Sequence, residues 1–499
     1  MSVLQCNPLL RLAAAIGAAA LCGCNLDWEK PDVSTPPPER FREARPRSAP
    51  GIGGAREFAR KFGSRELSNI VDGALADNLD LAAAAARIQE ADAQARVSSA
   101  AQLPLVSIAD SVSRTQTPGT KTSATPTGSL GQYTTTRSNF AQLGLNASYE
   151  IDFWGKNEDA AKAAQIHANA SRFDRSVVEI STVASVLNAY FQVLSAQDRL
   201  KIAHENVKIA DTVFQAIKAR VEVGVATALD YSQQESVLAV QRATIPPLEQ
   251  SLRQTRNTLA VLLGHTPESV TIKGGSLTRL HYPVVPPGLP SEALLRRPDV
   301  AEAEARLASQ EFSVLQARAA FFPSITLTGQ YGVQSVAFHN LLRPEAIAWQ
   351  IAANAAQPLF DGYNLQGQYE LQKGKYAELA ALYRKQIITA LSDVENALIA
   401  VRETARQVKL QGEAAAAARR AYVVAEARLR EGTIDIVTLA TTETTLFQTQ
   451  DQLAQSRLAY YQSATTLYQA LGGGFSPTTR ETQIAAADAA FDADKGPWP

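Results

Sequence analysis

The sequence predicts a mixed α+β protein of two similar halves, in which very long helices accompany short pairs of strands. An internal repeat is the first sign of the two halves. The repeated residues are Asp80, Arg87 and Pro104, which recur 219 positions later as Asp299, Arg306 and Pro323, and Gly224 and Gly264, which recur 208 positions later as Gly432 and Gly472. The long helices are predicted from a run of 68 residues between Gly155 and Gly224 that contains no Gly or Pro. As one helix this run would be ~100 Å long, which suits a structure that spans a compartment better than a compact domain.

The two repeat offsets differ by 11 residues, so the second half is shorter than the first. The deletion must lie between Pro323 and Ala427, where one offset gives way to the other. A chain of 499 residues would ordinarily suggest about three domains, but the repeat favours one body made of two halves. We place the first repeat at 65–264, a linker at 265–290 and the second repeat at 291–474.

The N-terminus has the features of a signal peptide at residues 1–23, with a positive charge followed by the apolar stretch Leu12–Leu21. This stretch is too short for a transmembrane helix. It ends in Leu21-Cys22-Gly23-Cys24, which resembles the lipobox of bacterial lipoproteins. The resemblance implies that Cys24 is the lipidated first residue of the mature protein, and Asn25 after it implies sorting to the outer membrane. The alternative is ordinary secretory cleavage with an incidental cysteine.

Cysteine usage and composition constrain the mature chain. All three cysteines lie within the first 24 residues, so a mature chain that begins at Cys24 has no internal disulfide. Residues 24–64 are predicted to be a lipid-anchored extended leader because they are rich in Pro, Arg and Ser. Residues 475–499, rich in Ala and Asp, are predicted to be a flexible tail. The net charge of −1 implies no polyanionic partner such as a nucleic acid.

Four segments alternate apolar and polar residues, as strands with one apolar and one polar face do. They are Val106–Val112, Gln142–Tyr149, Ile325–Tyr331 and Ile347–Ala352. The first is the weakest, because Asp110 interrupts it. The pattern fits strands of a transmembrane β-barrel and also a soluble hairpin half-buried on a core, and the lipid anchor favours the barrel. No segment after the signal has 18 consecutive apolar residues, so no helical membrane span is predicted.

The connections and helices agree with this organisation. Arg114–Ser138 is rich in Thr, Ser and Gly and is predicted to be an exposed loop. Its counterpart Gly332–Pro344 is shorter, which accounts for the deletion. The helices carry apolar residues at coiled-coil spacing, which buries one face against a neighbouring helix. One such series is Leu439, Leu446, Leu453, Tyr460 and Leu467. Pro246-Pro247 must interrupt the return helix of the first half.

Four strands from one chain cannot close a barrel, and open strand edges are not tolerated in lipid. The smallest closed membrane barrels have about eight strands. The protein must therefore oligomerise, as a dimer with eight strands or a trimer with twelve.

No catalytic or metal-binding constellation is found. His204-Glu205 begins like a zinc-protease motif, but Lys208 stands where the second histidine is required. None of the five histidines are spaced as metal ligands on one helix face. No glycine-rich phosphate loop, nucleophile elbow or CxxC pair occurs. The sequence therefore predicts no enzyme activity, cofactor or metal.

The chain resembles the TolC family of outer-membrane channels, and within it the NodT-type lipoproteins of resistance-nodulation-division efflux systems. Besides the lipobox, the residues that carry the resemblance are Arg297-Pro298-Asp299, Ala319-Ala320-Phe321-Phe322-Pro323, Gln357-Pro358-Leu359-Phe360-Asp361-Gly362, Ile245-Pro246-Pro247-Leu248 and Ala470-Leu471-Gly472-Gly473-Gly474. They cover about residues 24–475. The resemblance implies a homotrimer with a 12-stranded barrel in the outer-membrane lipid and a 12-helix tunnel in the periplasm. It also implies docking of a periplasmic adaptor and, through it, an inner-membrane pump.

The resemblance places the two turns at Gly224 and Gly432 at the periplasmic tip, where the family closes its tunnel. It implies gate contacts for Asp230 and Arg430 and an apolar constriction at Val437. The family often has an Asp nine residues after the second Gly, but Thr441 stands there in this chain. The sequence leaves open whether Asp435 replaces that Asp. It also leaves open whether Asp230 is a gate residue, a helix cap stabilised by the helix dipole, or both.

The predicted function is that of a passive exit duct of a tripartite efflux pump in the outer membrane. One alternative is the duct of a type I protein-secretion system, which has the same architecture. Another is a lipid-anchored periplasmic coiled-coil scaffold that never enters the membrane. The sequence does not identify the transported substrate.

Overall fold

The structure is a computed structural model that describes residues 28–43, 53–121, 133–285, 288–476 and 478–485. The predicted signal peptide and Cys24 lie outside these residues. The first half contains α1 (Ala55–Lys61), α2 (Arg65–Asp77), α3 (Leu79–Ser99), β1 (Leu105–Lys121), β2 (Tyr133–Ile151), α4 (Lys156–Glu222), α5 (Ala228–Ala243) and α6 (Ile245–Leu262). The second contains α7 (Pro290–Leu295), α8 (Pro298–Ala319), β3 (Ser324–Ser335), β4 (Ile347–Ala356), α9 (Asn364–Arg430) and α10 (Ile436–Ala470). Short 3₁₀ turns lie at Ala100–Gln102, Leu277–Arg279, Phe338–Asn340 and Pro344–Ala346.

The two predicted long helices are continuous and equal in length. Helices α4 and α9 have 67 residues each. Their first residues, Lys156 and Asn364, are already 208 positions apart. The 11-residue shortening therefore lies between Pro323 and Asn364, in the segment that contains the β3–β4 hairpin. Helix α4 contains one 18-residue window that is long and apolar enough to cross a membrane, with a mean hydropathy of 1.4, but 56% of that window is buried inside the chain.

The return helices differ between the halves for the predicted reason. In the first half α5 ends at Ala243 and α6 begins at Ile245, with proline in the first turn of α6. A proline lacks the N–H that would continue the hydrogen-bond ladder, but it is tolerated at a helix start. Helix α10 has no proline and runs for 35 residues without a break.

The four strands form one antiparallel sheet in the order β1-β2-β3-β4. The first hairpin is longer than predicted: β1 continues through Arg114 to Lys121, and β2 already begins at Tyr133. The interpretation of residues 114–138 as a loop was therefore wrong at both ends. Polar Thr-rich residues can extend a strand ladder, because backbone pairing needs no apolar face and Thr is β-branched.

The chain divides into two compact units. Of the described residues, one unit contains those within 28–32, 91–168 and 306–380 and includes the whole sheet; the other contains those within 33–90, 169–305 and 381–485. The second unit has an aromatic core in which Phe58 stacks on Tyr468 with ring centroids 4.3 Å apart. Phe62 packs on Phe191 in the same cluster.

Parts of both predicted terminal extensions are folded. Within the predicted extended leader, residues 55–61 form helix α1, and Phe58 is fully buried. Phe58 and the C-cap residue Phe62 are four positions apart, so they lie on one face of this helix and pack into the core. This spacing is a helix signal, but the Pro-rich composition of the segment obscured it. In the predicted tail, Phe475 is buried against Phe173, and Arg480 pairs with Glu304 at 3.1 Å.

Candidate functional site: a two-faced sheet and two helix turns

One face of the sheet is apolar and exposed. The strand register aligns Ile108, Leu145, Tyr331 and Trp349 in one row across all four strands. All four side chains are exposed in the single chain. Directly paired residues point to the same side of a sheet, so the row is a continuous apolar band. Such a band on a soluble surface marks contact with a membrane or a protein.

The other face is polar. The neighbouring row consists of Ser107, Asn146, Gln330 and Gln350. In these two rows the alternation read from the sequence is therefore carried in register across all four strands. Charged residues depart from it on the apolar side: Asp110 pairs with Leu143, and nearer the hairpin end Arg114 pairs with Asn139 and Arg137 with Gln116.

The sheet has two edges, β1 and β4, which pair with no further strand among the described residues. Exposed edges invite pairing with another chain. Inside the sheet, β2 and β3 approach closely at Gly144 and Gly332, where a Cβ on Gly332 would lie 2.4 Å from the Cα of Gly144. Glycine is therefore required at Gly332 to bring these strands into register.

Aromatic side chains cluster where the strands join the helices. Trp154 stacks on Phe322 with centroids 4.6 Å apart, and its indole N–H donates to Pro323 O at 2.9 Å. Phe360 and Tyr363 are exposed and meet edge to face. Tyr and Trp are enriched at membrane–water interfaces, where an apolar ring and a polar edge are both accommodated.

The turns after α4 and α9 have the same backbone structure. Gly224 and Gly432 have φ values of +74° and +71°, the left-handed conformation that favours glycine at a helix end. Val225 N–H donates to Arg220 O at 2.9 Å, and the equivalent Thr433 N–H donates to Arg428 O at 3.0 Å. Each turn therefore closes its helix with the six-to-one bond of a Schellman motif.

Asp230 caps the helix that comes after the first turn. Its carboxylate accepts hydrogen bonds from the backbone N–H and the hydroxyl of Thr227, at 2.7 and 2.8 Å. Its own N–H donates to Thr227 Oγ1. This reciprocal capping box satisfies N–H groups that the first turn of α5 would otherwise leave unbonded.

The second turn places three candidate residues in different environments. Arg430 is 75% exposed and pairs with Glu426 at 2.5 Å. Asp435 is the N-cap of α10, and hydrogen bonds from Thr438 lower the pKa of its carboxyl. Val437 is half exposed. Thr441, which stands where the family often has an acid, donates its hydroxyl back to Val437 O at 2.8 Å.

The two turns are joined by a residue for which the sequence predicted no function. Arg220, at the end of α4, donates to Leu429 O at 2.9 Å. Within the described residues no hydrogen bond or ion pair joins Asp230 to Arg430. Arg220 and Arg428 are 208 positions apart, the spacing of the repeat, but only the packing of α4 beside α9 shows the partner of Arg220.

The Arg297-Pro298-Asp299 motif is the centre of a buried hydrogen-bond network in the second unit. Arg297 is 7% exposed. Its guanidinium binds Asp299 at 3.0 and 2.6 Å, binds Asp393 at 3.1 Å, and donates to Ala390 O and Ala470 O. A planar guanidinium can hold several acceptors at once, so this motif ties the start of α8 and the end of α10 to the middle of α9. In the described part of the chain, no group of three or more His, Cys, Asp or Glu residues could hold a metal ion.

Comparison with known proteins supplies the context for these features. Residues 70–265 and 289–473 match the family model described as outer membrane efflux protein. The chain is 36% identical over 420 residues to the pyoverdine export outer membrane protein OpmQ of Pseudomonas putida, covering 84% of this chain and 88% of that one. It is 31% identical to the toluene efflux pump outer membrane protein TtgC of the same species, with 95% and 98% covered. Among solved structures, the outer-membrane channel OprN aligns with a TM-score of 0.81 and 26% identity over 90% of this chain and 98% of that chain.

Proposed function

Since this chain belongs to the outer membrane efflux protein family, it acts as an efflux duct in the outer membrane, and we propose that it does so as a homotrimer. The observation that carries the proposal is the apolar row Ile108–Leu145–Tyr331–Trp349, backed by a polar row on the opposite face. A sheet with one exposed apolar face and one polar face fits a barrel wall between lipid and water.

Three copies would provide twelve strands. The free edges β1 and β4 would then pair between copies, so that β4 of one copy adds to β1 of the next. Closure in this way leaves no backbone group unbonded in lipid. The family resemblance favours twelve strands over eight.

The two-fold repeat is part of the proposal. The equal 67-residue helices and the matching turns at Gly224 and Gly432 support two equivalent halves, 65–264 and 291–474. A trimer of two-fold repeats would have six similar helix pairs around one tunnel. Because the helices of each pair match in length, the wall of such a tunnel would end at one level all around.

The proposed partners are a periplasmic adaptor and an inner-membrane pump. The duct has no catalytic or cofactor role in this scheme, and energy comes from the pump. The relatives are named for different cargo, pyoverdine in one and toluene in another. We therefore assign the choice of cargo to the pump and only passive conduction to this chain. Cys24 would anchor the duct in the membrane through its lipid.

The periplasmic gate is proposed at the two turns. Val437 from three copies would form an apolar constriction that does not depend on charge. Asp230 and Arg430 would meet between neighbouring copies, and Asp435 would add an acid near the missing one at Thr441. The exposure of Arg430 and Val437 in the single chain supports contacts between copies.

The test is reconstitution of detergent-purified protein in planar bilayers, with its mass measured by light scattering. We expect three times the monomer mass and discrete conductance steps. A monomer that stays in the soluble fraction and gives no conductance would contradict the proposal.

A further inference from the structure

A carboxyl group and a carboxamide are fully buried where α5 packs against α10. Gln234 of α5 and Glu443 of α10 are each 0% exposed. Gln234 Nε2 donates to Glu443 Oε2 at 3.2 Å. Oε1 of Gln234 and Oε1 of Glu443 are both buried without a hydrogen-bond partner. Buried polar atoms are nearly always bonded, so two unbonded acceptors on the two partners of one hydrogen bond require a reason.

One proton would satisfy both oxygens. A carboxylate only accepts hydrogen bonds, whereas a carboxylic acid also has an O–H that donates. With the proton on Glu443 Oε1, this hydroxyl donates to Gln234 Oε1 while Gln234 Nε2 donates to Glu443 Oε2. The acid and the amide then form a closed ring of two hydrogen bonds, and no buried oxygen is left over.

The pair lies in a mainly apolar cluster. Along α10 the residues four before and three after Glu443 are Leu439 and Leu446, and along α5 the residue four after Gln234 is Leu238. These leucines belong to the same buried cluster. The cluster receives Ala210, Val213 and Ile217 from α4 and Ala418, Tyr422 and Ala425 from α9. Such a site disfavours a charge.

Among the residues that the structure describes, no lysine, arginine or histidine pairs with Glu443. From α9 the titratable group facing Glu443 is the Tyr422 phenol, whose pKa burial and the nearby acids Glu426 and Glu443 raise to about 12, so that it is neutral. Arg430, which acts on the Tyr422 phenol, is paired with Glu426, and Arg242 of α5 is paired with Asp211. Burial raises the pKa of Glu443 to about 7, although the Gln234 hydrogen bond lowers it in part.

We propose that a proton held between Glu443 and Gln234 joins α5 to α10 and keeps the periplasmic tip closed, and that loss of this proton releases the two helices. This inference rests on the proposed function, because it gives the proposed gate its regulation. Both helices start at the tip: α5 comes after the Gly224 turn and α10 after the Gly432 turn. Gln234 and Glu443 each lie about two helical turns beyond these starts, so a change at the pair acts on the gate through two short, stiff segments.

The direction of the pH dependence is set by the pKa. The unfolded carboxyl releases its proton near its ordinary value of 4.5, whereas the folded one keeps it up to about 7. The folded state therefore binds more protons in this interval, and its stability is greatest below it and falls as pH rises through it. The contact between α5 and α10 is thus intact in mild acid and weakened in mild alkali.

Infrared difference spectroscopy of the full-length trimer tests the proton directly. Wild type should show the carbonyl band of a protonated carboxylic acid that disappears as pH rises from about 6 to about 8. Glu443→Gln should lack this titrating band, because a neutral amide replaces the acid while an amide–amide ring preserves the packing. Glu431→Gln, an exposed acid in the second turn, is the matched control and should keep the band. Absence of the band in wild type at neutral pH would overturn the proposal.

Conductance in planar bilayers tests the coupling to the gate. The open fraction of wild-type channels should rise several-fold over the same pH interval, whereas Glu443→Gln should remain closed throughout. If the band titrates while wild-type channels conduct equally at every pH, the proposed coupling between the proton and the gate is wrong. Protein that shows the band but never conducts would contradict the proposed duct itself, which separates the two failures.

Discussion

Asp230 and Thr227 hold each other reciprocally at the start of α5: the carboxylate accepts from Thr227 N–H and Oγ1–H, and Thr227 Oγ1 accepts from Asp230 N–H. The carboxylate proposed for the gate is therefore also a helix cap. The two roles can be separated, because only the cap depends on Thr227.

Asp230→Ala and Arg430→Ala are expected to raise single-channel conductance, since each removes one side of the ion pair proposed between copies. An exposed pair contributes only ~0.2–1 kcal/mol, and salt screens it, so the increase should be smaller at high salt. Thr227→Ala loses ~0.5–2 kcal/mol of capping but keeps the carboxylate, and should conduct like wild type. Equal increases in Thr227→Ala and Asp230→Ala would make Asp230 a cap only.

Arg297→Ala should destabilise the second unit strongly. It leaves Asp299 and Asp393 without their cation and two carbonyls without their donor. Breaking a buried pair costs roughly 3–5 kcal/mol, and the lower end applies because Asp393 stays 44% exposed. The control is Arg253→Ala, whose 76% exposed side chain pairs with Glu249 and should change stability by at most ~0.5 kcal/mol. Thermal unfolding of the two variants is followed by circular dichroism. Similar midpoint temperatures for Arg297→Ala and Arg253→Ala would contradict a stabilising role of Arg297 in the second unit.

Gly332→Ala should impair assembly of the sheet. A Cβ there would lie 2.3 Å from Leu143 O and 2.4 Å from Gly144 Cα, so β2 and β3 would have to separate. Gly329→Ala, three residues earlier on the same strand, meets nothing within 4 Å and is the control. The yield of heat-modifiable oligomer on gels measures assembly. A wild-type yield from Gly332→Ala would show that the strands do not approach this closely.

Cys24→Ser should abolish incorporation of radiolabelled fatty acid, because the lipid has no other thiol in the mature chain. Cys22→Ser removes a neighbouring thiol from the signal and should still be labelled. Labelled Cys24→Ser protein, or a mature N-terminus at another residue, would refute the lipoprotein assignment.

Several elements could be predicted from the sequence because their signals are local. The absence of Gly and Pro marked α4, Pro246-Pro247 marked the break between α5 and α6, and period-2 alternation marked four strands. The strand ends at Arg114–Lys121 were missed, because a ladder of polar residues has no alternation to detect. Helix α1 was missed because a Pro-rich segment precedes it.

The sequence by itself determined the repeat, the order of the long helices and the four strands, the apolar and polar faces of the strands, and the signal for lipidation. Each of these depends on spacing along one element, which the order of residues records directly. Tertiary structure alone decided that Arg220 meets Leu429, that Arg297 meets Asp393 and that Glu443 meets Gln234. These partners are 96 to 209 positions apart, and their meeting depends on how far each helix is rotated and shifted against its neighbour. Periodicity gives the buried face of a helix, but the packing of that face against another fixes which side chains share it.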